Sequence, residues 1–544
     1  VYERLGSVSP RLFRTLISSA LGRLTDGIVD PLPESIRKAH GFSDRCSALI
    51  DAHFPPIDTS IVDLNDFATK AQQRLIFEEF FFFQVGLGLR RQSTEVRKKG
   101  RQVVVNDRIR KSALSVLPFK LTNGQRQSLK DIVSDLQSPQ PMNRLLEGDV
   151  GSGKTIVALL AALVVMENGY QVAVMSPTEI LTEQHYFNLS RLLKSSRFRV
   201  VKLTGAMTLS QRSAVSESLE AGDADLVVGT HALVQEAVKF RSLGLVVIDE
   251  QHRFGVIQRA TLGGKGLNLD ILVMTATPIP RTLALTIYGD LDVSVIRELP
   301  PGRKPVKPEL VKASGRKGVY SLLDSELENG RQAYVVYPLV EESEKSDLNA
   351  AKEMADRLRK REFSHRRIEL LHGRMSSSHR EEVMRRFVDH EVDLLVTTTV
   401  IEVGVDVSNA SIMVVENAER FGLSQLHQLR GRVGRGEDQA YCVLLYQEPL
   451  TEVASARLEA MASIIDGFEL AERDLLLRGP GDFFGTRQHG LPILRVGDLL
   501  RDHKVMEDAR RATIKWLAQP GNRGVYTEDW QKLWAERFHL VDVG

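Results

Sequence analysis

The sequence predicts an α/β protein with two tandem parallel-sheet domains, an N-terminal helical region and a C-terminal region beyond the second sheet. Short β-branched runs alternate with helical stretches twice along the chain, which is the pattern of parallel sheets covered by helices. The 544 residues are several times the usual length of one domain, so three or four folding units are expected. We expect these units to cover residues 1–113, 114–300, 301–447 and 448–544.

The first region reads as helices, because apolar side chains recur at helical spacing over 11–24 and 67–89. Its end is rich in positive charge, with nine basic residues between positions 90 and 111. This run is either a patch for an anionic partner or a solvated linker. Its basic residues are Arg90, Arg91, Arg97, Lys98, Lys99, Arg101, Arg108, Arg110 and Lys111.

Both sheets are predicted from short apolar runs, and ligands are expected just beyond their carboxyl ends. The runs of the first domain are 171–175, 225–228, 245–248 and 271–274. A Pro-rich segment, 299–308, separates them from the second set. The runs of the second domain are 333–337, 368–371, 393–396, 412–415 and 440–445.

Composition excludes several classes of protein. A net charge of +2 argues against a globally basic nucleic-acid binder, and 42% hydrophobic residues argue against disorder. Cys46 and Cys442 lie far apart, without ligands at metal spacing, so neither a disulfide framework nor a zinc site is expected.

The sequence also bears on location. Apolar runs fall short of the roughly 18 residues that span a bilayer, so no membrane partner is expected. A reducing, cytoplasmic location is predicted. The chain starts at Val1 without an initiator Met, so its natural N-terminus is expected to be missing, which leaves organellar targeting open.

The strongest motif runs from Gly148 to Thr155 and matches a phosphate-binding loop followed by a helix. Backbone N–H groups of Gly151, Ser152 and Gly153 would turn towards a triphosphate, helped by the positive helix N-terminus. Lys154 would reach the β and γ phosphates, and Thr155 would hold Mg²⁺. ATP and Mg²⁺ are therefore the predicted cofactors.

Two further patterns complete an ATPase. The apolar run 245–248 ends in Asp249 and Glu250, which we assign to the Mg²⁺ shell and to activation of the attacking water. In the second domain, Arg432 and Arg435 follow glycines at a three-residue step and are predicted arginine fingers. Because they come from the other domain, hydrolysis would depend on closure of the cleft between the domains.

In their order, the phosphate loop, the Asp-Glu-Gln-His box, Thr-Ala-Thr-Pro at 275–278 and the Gln-x-x-Gly-Arg-x-x-Arg pattern resemble the superfamily 2 helicases and translocases. That resemblance implies RecA-like domains. Segments 117–122, 274–282, 371–375 and 467–490, with Gln125, resemble the RecG-type branch-migration helicases. The family's oligonucleotide-binding-fold wedge domain would precede Val1, so we expect a chain that lacks it.

The resemblance implies further site residues. Phe119 and Gln125 match adenine-recognising positions, and for Phe119 the alternative is a buried core aromatic. Gly404 and Asp406 match the motif that contacts the γ phosphate and ribose. The positions that grip one DNA strand's backbone, each with a capping or loop role as the alternative, are Thr178, Gln184, Thr230, His231 and Thr398.

Beyond the second domain, 479–490 resembles the translocation motif that the RecG family shares with the transcription-repair coupling factor. Arg487 and Gln488 match that motif, whereas His489 replaces its usual small hydroxyl residue. Composition alone suggests a Gly-rich loop in which Gly479, Gly481 and Gly485 are flexible points. The stretch 468–477 before it has a helical pattern.

The leading hypothesis is an ATP-dependent double-stranded DNA translocase and helicase that remodels stalled forks and branch-migrates Holliday-type junctions in recombination and repair. We expect a monomer that binds branched double-stranded DNA, with a contact to single-stranded-DNA-binding protein implied by the resemblance. The alternatives are a remodeller that displaces RNA polymerase, an RNA helicase and a non-catalytic DNA-binding scaffold. The missing Asp-Glu-Ala-Asp box argues against the RNA helicase, and intact Lys154, Asp249 and Glu250 argue against the scaffold.

Overall fold

A computed structural model describes residues 9–24, 28–95, 99–234, 238–249, 269–275, 291–300, 306–338, 344–398, 407–434, 436, 439–483, 494–499, 501–519 and 521–522. The chain divides into two compact units. The helical unit comprises 1–94, 281–290 and 480–544, and the α/β unit comprises 95–280 and 291–479.

The first sheet is entirely parallel, as predicted. Its described strands are β1 (Asn143–Gly148), β2 (Gln171–Met175), β3 (Val200–Leu203), β4 (Leu226–Gly229), β5 (Leu243–Asp249), β6 (Asp270–Thr275) and β7 (Asp292–Ile296). They lie in the order β3-β4-β2-β5-β6-β1-β7. Only β6 separates β1 from β5, so the phosphate loop and Asp249 lie close together at the carboxyl ends of these strands.

The second sheet is also parallel. Its described strands are β8 (Lys307–Lys312), β9 (Gln332–Tyr337), β10 (Ile368–Leu371), β11 (Leu394–Thr398), β12 (Ala410–Val415) and β13 (Tyr441–Tyr446), in the order β10-β11-β9-β12-β13-β8. The predicted α/β fold class with two tandem sheets is therefore confirmed.

Four strands were not predicted, namely β1, β3, β7 and β8. Three of these, β3, β7 and β8, lie at sheet edges. Edge strands carry polar side chains and tolerate proline, because one side of the backbone needs no partner. Strand β8 shows both features, with Pro308 and three charged residues among its six. An apolar run is therefore a poor marker for such strands.

The helices cover both faces of both sheets, and short 3-10 or π turns occur at His231–Val234, Ala313–Gly315, Leu358–Glu362 and Ala418–Arg420. The described helices are α1 (Pro10–Leu24), α2 (Glu34–His40), α3 (Arg45–His53), α4 (Ile61–Asn65), α5 (Lys70–Glu95), α6 (Asp107–Ser115), α7 (Asn123–Gln137), α8 (Lys154–Glu167), α9 (Glu179–Leu192), α10 (Leu209–Ala221), α11 (Arg316–Glu328), α12 (Glu344–Arg357), α13 (Ser377–Val388), α14 (Leu423–Arg430), α15 (Glu452–Ser463), α16 (Gly467–Phe483) and α17 (His503–Leu517). None of these described helices is long and apolar enough to cross a membrane.

The core of the first domain lies on both sides of its sheet. On strand β2, Val172 and Val174 belong to one buried cluster, whereas Ala173 and Met175 belong to another. This alternation follows from the two-residue period of a strand. Helix α8 packs in the first cluster, and every residue from Val157 to Met166 is buried. The helix is therefore buried on nearly all of its faces. Each fully buried Leu or Val contributes roughly 1.5–3 kcal/mol.

Two basic residues of the run before the first domain, Lys99 and Arg101, fit neither interpretation, whereas Arg108, Arg110 and Lys111 are exposed. Lys99 is buried, and its Nζ donates to Leu136 O at 2.7 Å and pairs with Asp270 at 3.2 Å. Arg101 pairs with the same carboxylate at 2.9 Å. Burial lowers the pKa of Lys99, although Asp270 opposes the shift. These two cations therefore anchor the linker to the first domain and are neither solvated nor free for DNA.

In the helical unit, α5 carries the buried centre. Phe77 and Phe80 are at most 1% exposed, and the fully buried Arg74 lies among them. Its guanidinium donates to Glu78 at 2.6 Å and to Asp30 at 2.7 Å. A buried charge is tolerated only when it is paired in this way. The predicted helices over 11–24 and 67–89 correspond to α1 and α5.

The C-terminal segment returns to this helix. The buried Glu79 carboxylate accepts the backbone N–H groups of Arg495, Val496 and Gly497 at 2.8, 2.9 and 2.9 Å. Trp516 of α17 packs edge-on against Phe81, with ring centroids 6.0 Å apart. No local sequence pattern predicts these long-range contacts.

Helix α16 begins one residue before the predicted stretch and runs further than expected. It continues to Phe483, so Gly479 and Gly481 lie inside a helix. The expectation that these two glycines are flexible points is therefore wrong. Gly485, Arg487, Gln488 and His489 lie outside the described residues.

Candidate nucleotide site and nucleic-acid contacts

The phosphate loop connects the end of β1 at Gly148 to the start of α8 at Lys154. Gly151 and Gly153 have φ angles of +77° and +86°, a region that side chains other than glycine disfavour. At Gly153 a Cβ atom would also collide with the side-chain nitrogen of Gln125. Both constraints explain why this loop needs glycine, and they give it the curvature of an anion-binding loop.

Two polar groups of the loop are placed to meet phosphate oxygens. The Lys154 side chain is buried, and its Nζ donates to the carbonyl oxygens of Gly148 and Asp149 at 2.8 and 2.9 Å. The Ser152 hydroxyl is buried and has no hydrogen-bond partner among the described residues. A buried hydroxyl without a partner is costly, and a ligand would satisfy it. These residues fit a bound nucleotide.

Phe119 and Gln125 take different positions. The Phe119 ring is 49% exposed and lines the cavity beside the loop, so the buried-core alternative is wrong. Gln125 is buried, and its Nε2 donates to Ser152 O at 2.8 Å while its Oε1 accepts the Thr122 N–H at 3.0 Å. Gln125 thus supports the loop from behind. The adenine-recognising role of both residues stays a prediction.

A cavity of about 750 Å³ lies over the phosphate loop, within the usual size range of small-molecule sites. Lys154, Thr155 and Asp249 line it from the first α/β domain. Arg432 lines it from the second domain. Two predicted metal ligands and one predicted arginine finger therefore meet the phosphate loop in one space.

Asp249 ends strand β5 and is held by a residue that sequence reasoning missed. Its Oδ2 lies 2.8 Å from His185 Nε2 on helix α9. His185 is 8% exposed and lines the same cavity. Sequence alone could not identify His185 as a partner of Asp249. Only the strand order of the sheet places helix α9, which follows β2, beside the end of β5. His185 orients the carboxylate that is predicted to face Mg²⁺.

Arg430 and Arg432, the two described arginines of the Gly-Arg segment, make different contacts. Arg430 is buried, and its guanidinium donates to Ile464 O at 2.7 Å and Ile465 O at 2.8 Å. Burial lowers the pKa of Arg430. Arg432 is 6% exposed and reaches the nucleotide cavity. The same sequence pattern thus contains one structural arginine and one that can approach a nucleotide.

A second pair that was missed joins the two α/β domains. Asp149 Oδ1 lies 3.1 Å from His427 Nε2 on helix α14. Burial acts to raise the pKa of Asp149, but the hydrogen bond and charge of His427 and the N–H of Val150 hold it below its ordinary value. The aspartate is therefore a carboxylate under ordinary conditions.

Several predicted site residues cannot be placed. Six of them lie outside the described residues, and their roles stay predictions: Glu250, Arg435, Gly404, Asp406, Arg487 and Gln488.

The predicted DNA-backbone residues occupy different environments. Thr178 caps helix α9 by accepting the Leu181 N–H at 3.3 Å, and Gln184 lines the nucleotide cavity. Thr230 directly follows β4, and Thr398 ends β11. Both have buried hydroxyl groups without a hydrogen-bond partner in the described part of the chain. His231, next to Thr230, is exposed.

Comparison with protein-family models gives three matches. Residues 122–286 match the DEAD/DEAH box helicase model, and residues 317–437 match the helicase conserved C-terminal domain. Residues 464–541 match the model of ATP-dependent DNA helicase RecG, domain 3, C-terminal. The first two matches fall on the two sheets described above.

Individual proteins are similar over nearly the whole chain. The ATP-dependent DNA helicase RecG of Synechocystis is 45% identical over 525 residues, which cover 96% of this chain and 62% of that protein. RecG of Bacillus subtilis is 44% identical, over 95% of this chain and 75% of that protein. A structure of RecG bound to a three-way DNA junction matches with a TM-score of 0.73 and 42% identity, over 93% of this chain and 66% of that one. The chain thus spans about two thirds of these relatives.

Proposed function

Because the chain belongs to the RecG family of ATP-dependent DNA helicases, we propose that it is an ATP-driven double-stranded DNA translocase that remodels stalled replication forks and branch-migrates Holliday-type junctions in recombination and repair. The observation that carries this proposal is the shared cavity, which Lys154 and Arg432 line from two different domains. The likeness to RecG bound to a three-way junction supports branched DNA as the substrate.

In this proposal the cofactor is Mg²⁺·ATP. Lys154 would exchange its two loop carbonyls for phosphate oxygens. The Ser152 hydroxyl, which has no partner in the described part of the chain, would gain one. Thr155 and Asp249 would hold the metal, which proteins usually bind through one or two ligands and the substrate's phosphates. When bound, the metal neutralises phosphate charge. Phe119 would stack on the adenine.

Hydrolysis requires an oriented water and charge stabilisation. Asp249 is fixed by His185 at 2.8 Å, so its carboxylate cannot rotate freely. Glu250, the next residue, would take the proton of the attacking water. Arg432 would meet the charge that develops on the transferred phosphoryl group, and Arg435 would assist. Since Arg432 belongs to the second domain, each turnover would depend on the spacing of the two domains.

The proposed activity also predicts the form and location of the protein. Both sides of the cavity come from one chain, which supports action as a monomer. The proposed activity requires a compartment that contains both ATP and DNA, which agrees with the expected cytoplasmic location. The contact with single-stranded-DNA-binding protein stays a prediction from the resemblance.

The deciding experiment measures steady-state ATPase rates with forked DNA, linear duplex and single-stranded DNA of equal length. We expect the largest stimulation by forked DNA. Equal stimulation by all three would contradict the junction-specific part of the proposal. Stimulation by RNA alone would instead favour an RNA helicase.

The buried threonine hydroxyls give a test of DNA contact. Thr230→Val and Thr398→Val keep the side-chain shape and remove hydroxyl groups that have no described partner. We expect little change in thermal stability, whereas each variant should bind duplex DNA about two- to tenfold more weakly, the value of one net hydrogen bond. Fluorescence anisotropy at fixed salt measures the affinity.

Thr513→Val is the matched control for this test. The Thr513 hydroxyl is buried but donates to Ala509 O at 2.9 Å in the helical unit. We expect the opposite pattern, with lower stability and unchanged DNA affinity. Unchanged affinity in the Thr230 and Thr398 variants would remove both residues from the DNA interface.

A further prediction concerns Arg487 and Gln488. Neither belongs to the nucleotide motifs, and both follow helix α16, which leaves the second domain. Cleft movement alone displaces no DNA, so an attached element must transmit it. Arg487→Ala and Gln488→Ala should therefore retain DNA-stimulated ATPase while junction migration, measured with labelled strands, falls sharply. An equal loss of both activities would favour a structural role.

A further inference from the structure

Asp149 and His427 join the two α/β domains, and Asp149 directly precedes Val150, which lines the nucleotide cavity. Their side chains are 20% and 6% exposed, and the Oδ1 and Nε2 atoms lie 3.1 Å apart. A hydrogen-bonded pair that is mostly withdrawn from water depends strongly on its geometry, unlike an exposed pair. Neither residue belongs to the groups assigned above to phosphate, metal or water.

Asp149 also shapes the phosphate loop. Its Oδ1 accepts the Val150 N–H at 2.6 Å, and its backbone oxygen accepts the Lys154 ammonium at 2.9 Å. The same backbone oxygen accepts the Ser152 N–H at 3.1 Å. A displacement of Asp149 would therefore disturb the residues that face the phosphates.

His427 is linked in turn to Arg432. His427 lies in the last turn of helix α14, and its backbone oxygen accepts the Gly431 N–H at 3.1 Å. Arg432 is the next residue, and its backbone N–H donates to Leu429 O at 3.0 Å. Between them, a Cβ atom at Gly431 would lie 2.8 Å from Val150 Cβ. The two domains thus approach each other at two neighbouring points, and Arg432 projects from the same short segment into the cavity.

A glycine on a third element makes room for the pair. Gly467 begins helix α16, and a Cβ atom there would lie 2.7 Å from His427 Cε1 and 2.8 Å from Asp149 Oδ2. Distances below 3 Å are repulsive for carbon. Any side chain at this position would push the two residues apart.

We propose that Asp149 and His427 are a positioning pair, which aligns the second domain on the phosphate loop so that Arg432 enters the nucleotide cavity, with Gly467 as the glycine that this alignment requires. This inference rests on the proposed ATPase function and adds to it. The pair touches no reacting atom in the proposed mechanism, so its loss should affect turnover through the placement of Arg432.

The first test is a double-mutant cycle on DNA-stimulated ATPase. Asp149→Ala and His427→Ala should each lower kcat about tenfold, since small displacements of catalytic groups are costly. Nucleotide affinity, measured with a fluorescent ATP analogue, should change less than about threefold. The double variant should lose no more than the single ones, whereas additive losses would contradict the pairing.

Gly467→Ala provides a second test with a distinct signature. It should lower kcat in the otherwise unchanged protein, because the added methyl group meets His427. In the Asp149→Ala/His427→Ala background the same substitution should cost less than about twofold, since both side chains that the methyl group would meet are gone. An equal cost in both backgrounds would overturn the geometric argument.

The control is His379→Ala, which removes an imidazole from an exposed pair with Glu382 at 3.6 Å within helix α13. We expect no change in kcat. If an alanine variant fails to fold, Asp149→Asn and His427→Gln replace it, because both keep a hydrogen-bonding group. They should give intermediate kcat values.

A measurement of domain closure separates failure of this inference from failure of the proposed function. Dyes on Lys130→Cys and Arg361→Cys, in a Cys46→Ser background, report the distance between the domains by energy transfer. A non-hydrolysable ATP analogue should give high transfer in the parent and lower transfer with His427→Ala. If the parent protein shows no ATPase activity but the two proteins still differ in energy transfer, only the proposed ATPase function is rejected. If the parent and His427→Ala give equal energy transfer, the positioning role of Asp149 and His427 is rejected.

Discussion

Lys154→Ala is expected to lower kcat for ATP hydrolysis at least a hundred- to a thousandfold, the usual cost of removing one preorganised group that stabilises transition-state charge. The ammonium group is buried, and it donates to two carbonyls of the loop that is predicted to hold the phosphates. Alanine removes the ammonium donor from both carbonyls and leaves the phosphates without this cation. Nucleotide affinity should fall together with turnover.

Glu250→Gln should separate binding from chemistry at the same site. The amide cannot take a proton from water, so ATP should bind with near-normal affinity and hydrolyse very slowly. Single-turnover assays and equilibrium binding of a fluorescent analogue distinguish the two defects. Lys130→Ala is the control, since Lys130 is an exposed residue of helix α7 in the same domain. Near-normal turnover in either site variant would remove the residue from the mechanism.

Local sequence was enough to predict the phosphate loop and nine of the thirteen described strands. The glycines, Lys154 and Thr155 are contiguous, and a parallel strand buried on both faces is an unbroken apolar run. The end of β5 then places Asp249 at the sheet edge without knowledge of the strand order. These predictions succeed because every residue that they need lies within one short segment.

The contacts that sequence reasoning missed lie between distant segments. His185 reaches Asp249, and His427 reaches Asp149, only because of the sheet order and the spacing of the two domains. A histidine inside a helix carries no local mark of such a partner. Lys99 was misjudged for the same reason, since Asp270, which neutralises it, lies 171 positions away.

In the Gly-Arg segment, local sequence likewise does not distinguish two arginines that lie only two positions apart. Arg430 and Arg432 have equivalent sequence surroundings, yet only Arg432 reaches the cavity. The Arg430 guanidinium instead donates hydrogen bonds to the carbonyl oxygens of Ile464 and Ile465. We therefore expect Arg430→Ala to lower thermal stability, because it removes two partly buried hydrogen bonds to backbone carbonyls.

Arg432→Ala should have a different and larger effect on turnover. An arginine finger contributes on the order of a thousandfold or more to kcat, because it stabilises charge that appears only in the transition state. Arg435, in the same pattern, should behave alike. Nucleotide affinity should change only a few-fold in both variants, since the ground state gains little from the guanidinium.

Arg432→Lys tests whether charge alone is sufficient. Lysine keeps the charge but lacks the planar fork that can bind two phosphate oxygens, so we expect partial recovery at most. Arg361→Ala, at an exposed position of the second domain, is the control for loss of a surface cation. If ATP affinity collapsed while kcat at saturation held steady, Arg432 would be a binding residue. The cavity it shares with Lys154 would then serve to hold ATP, and domain closure would no longer be needed for its hydrolysis.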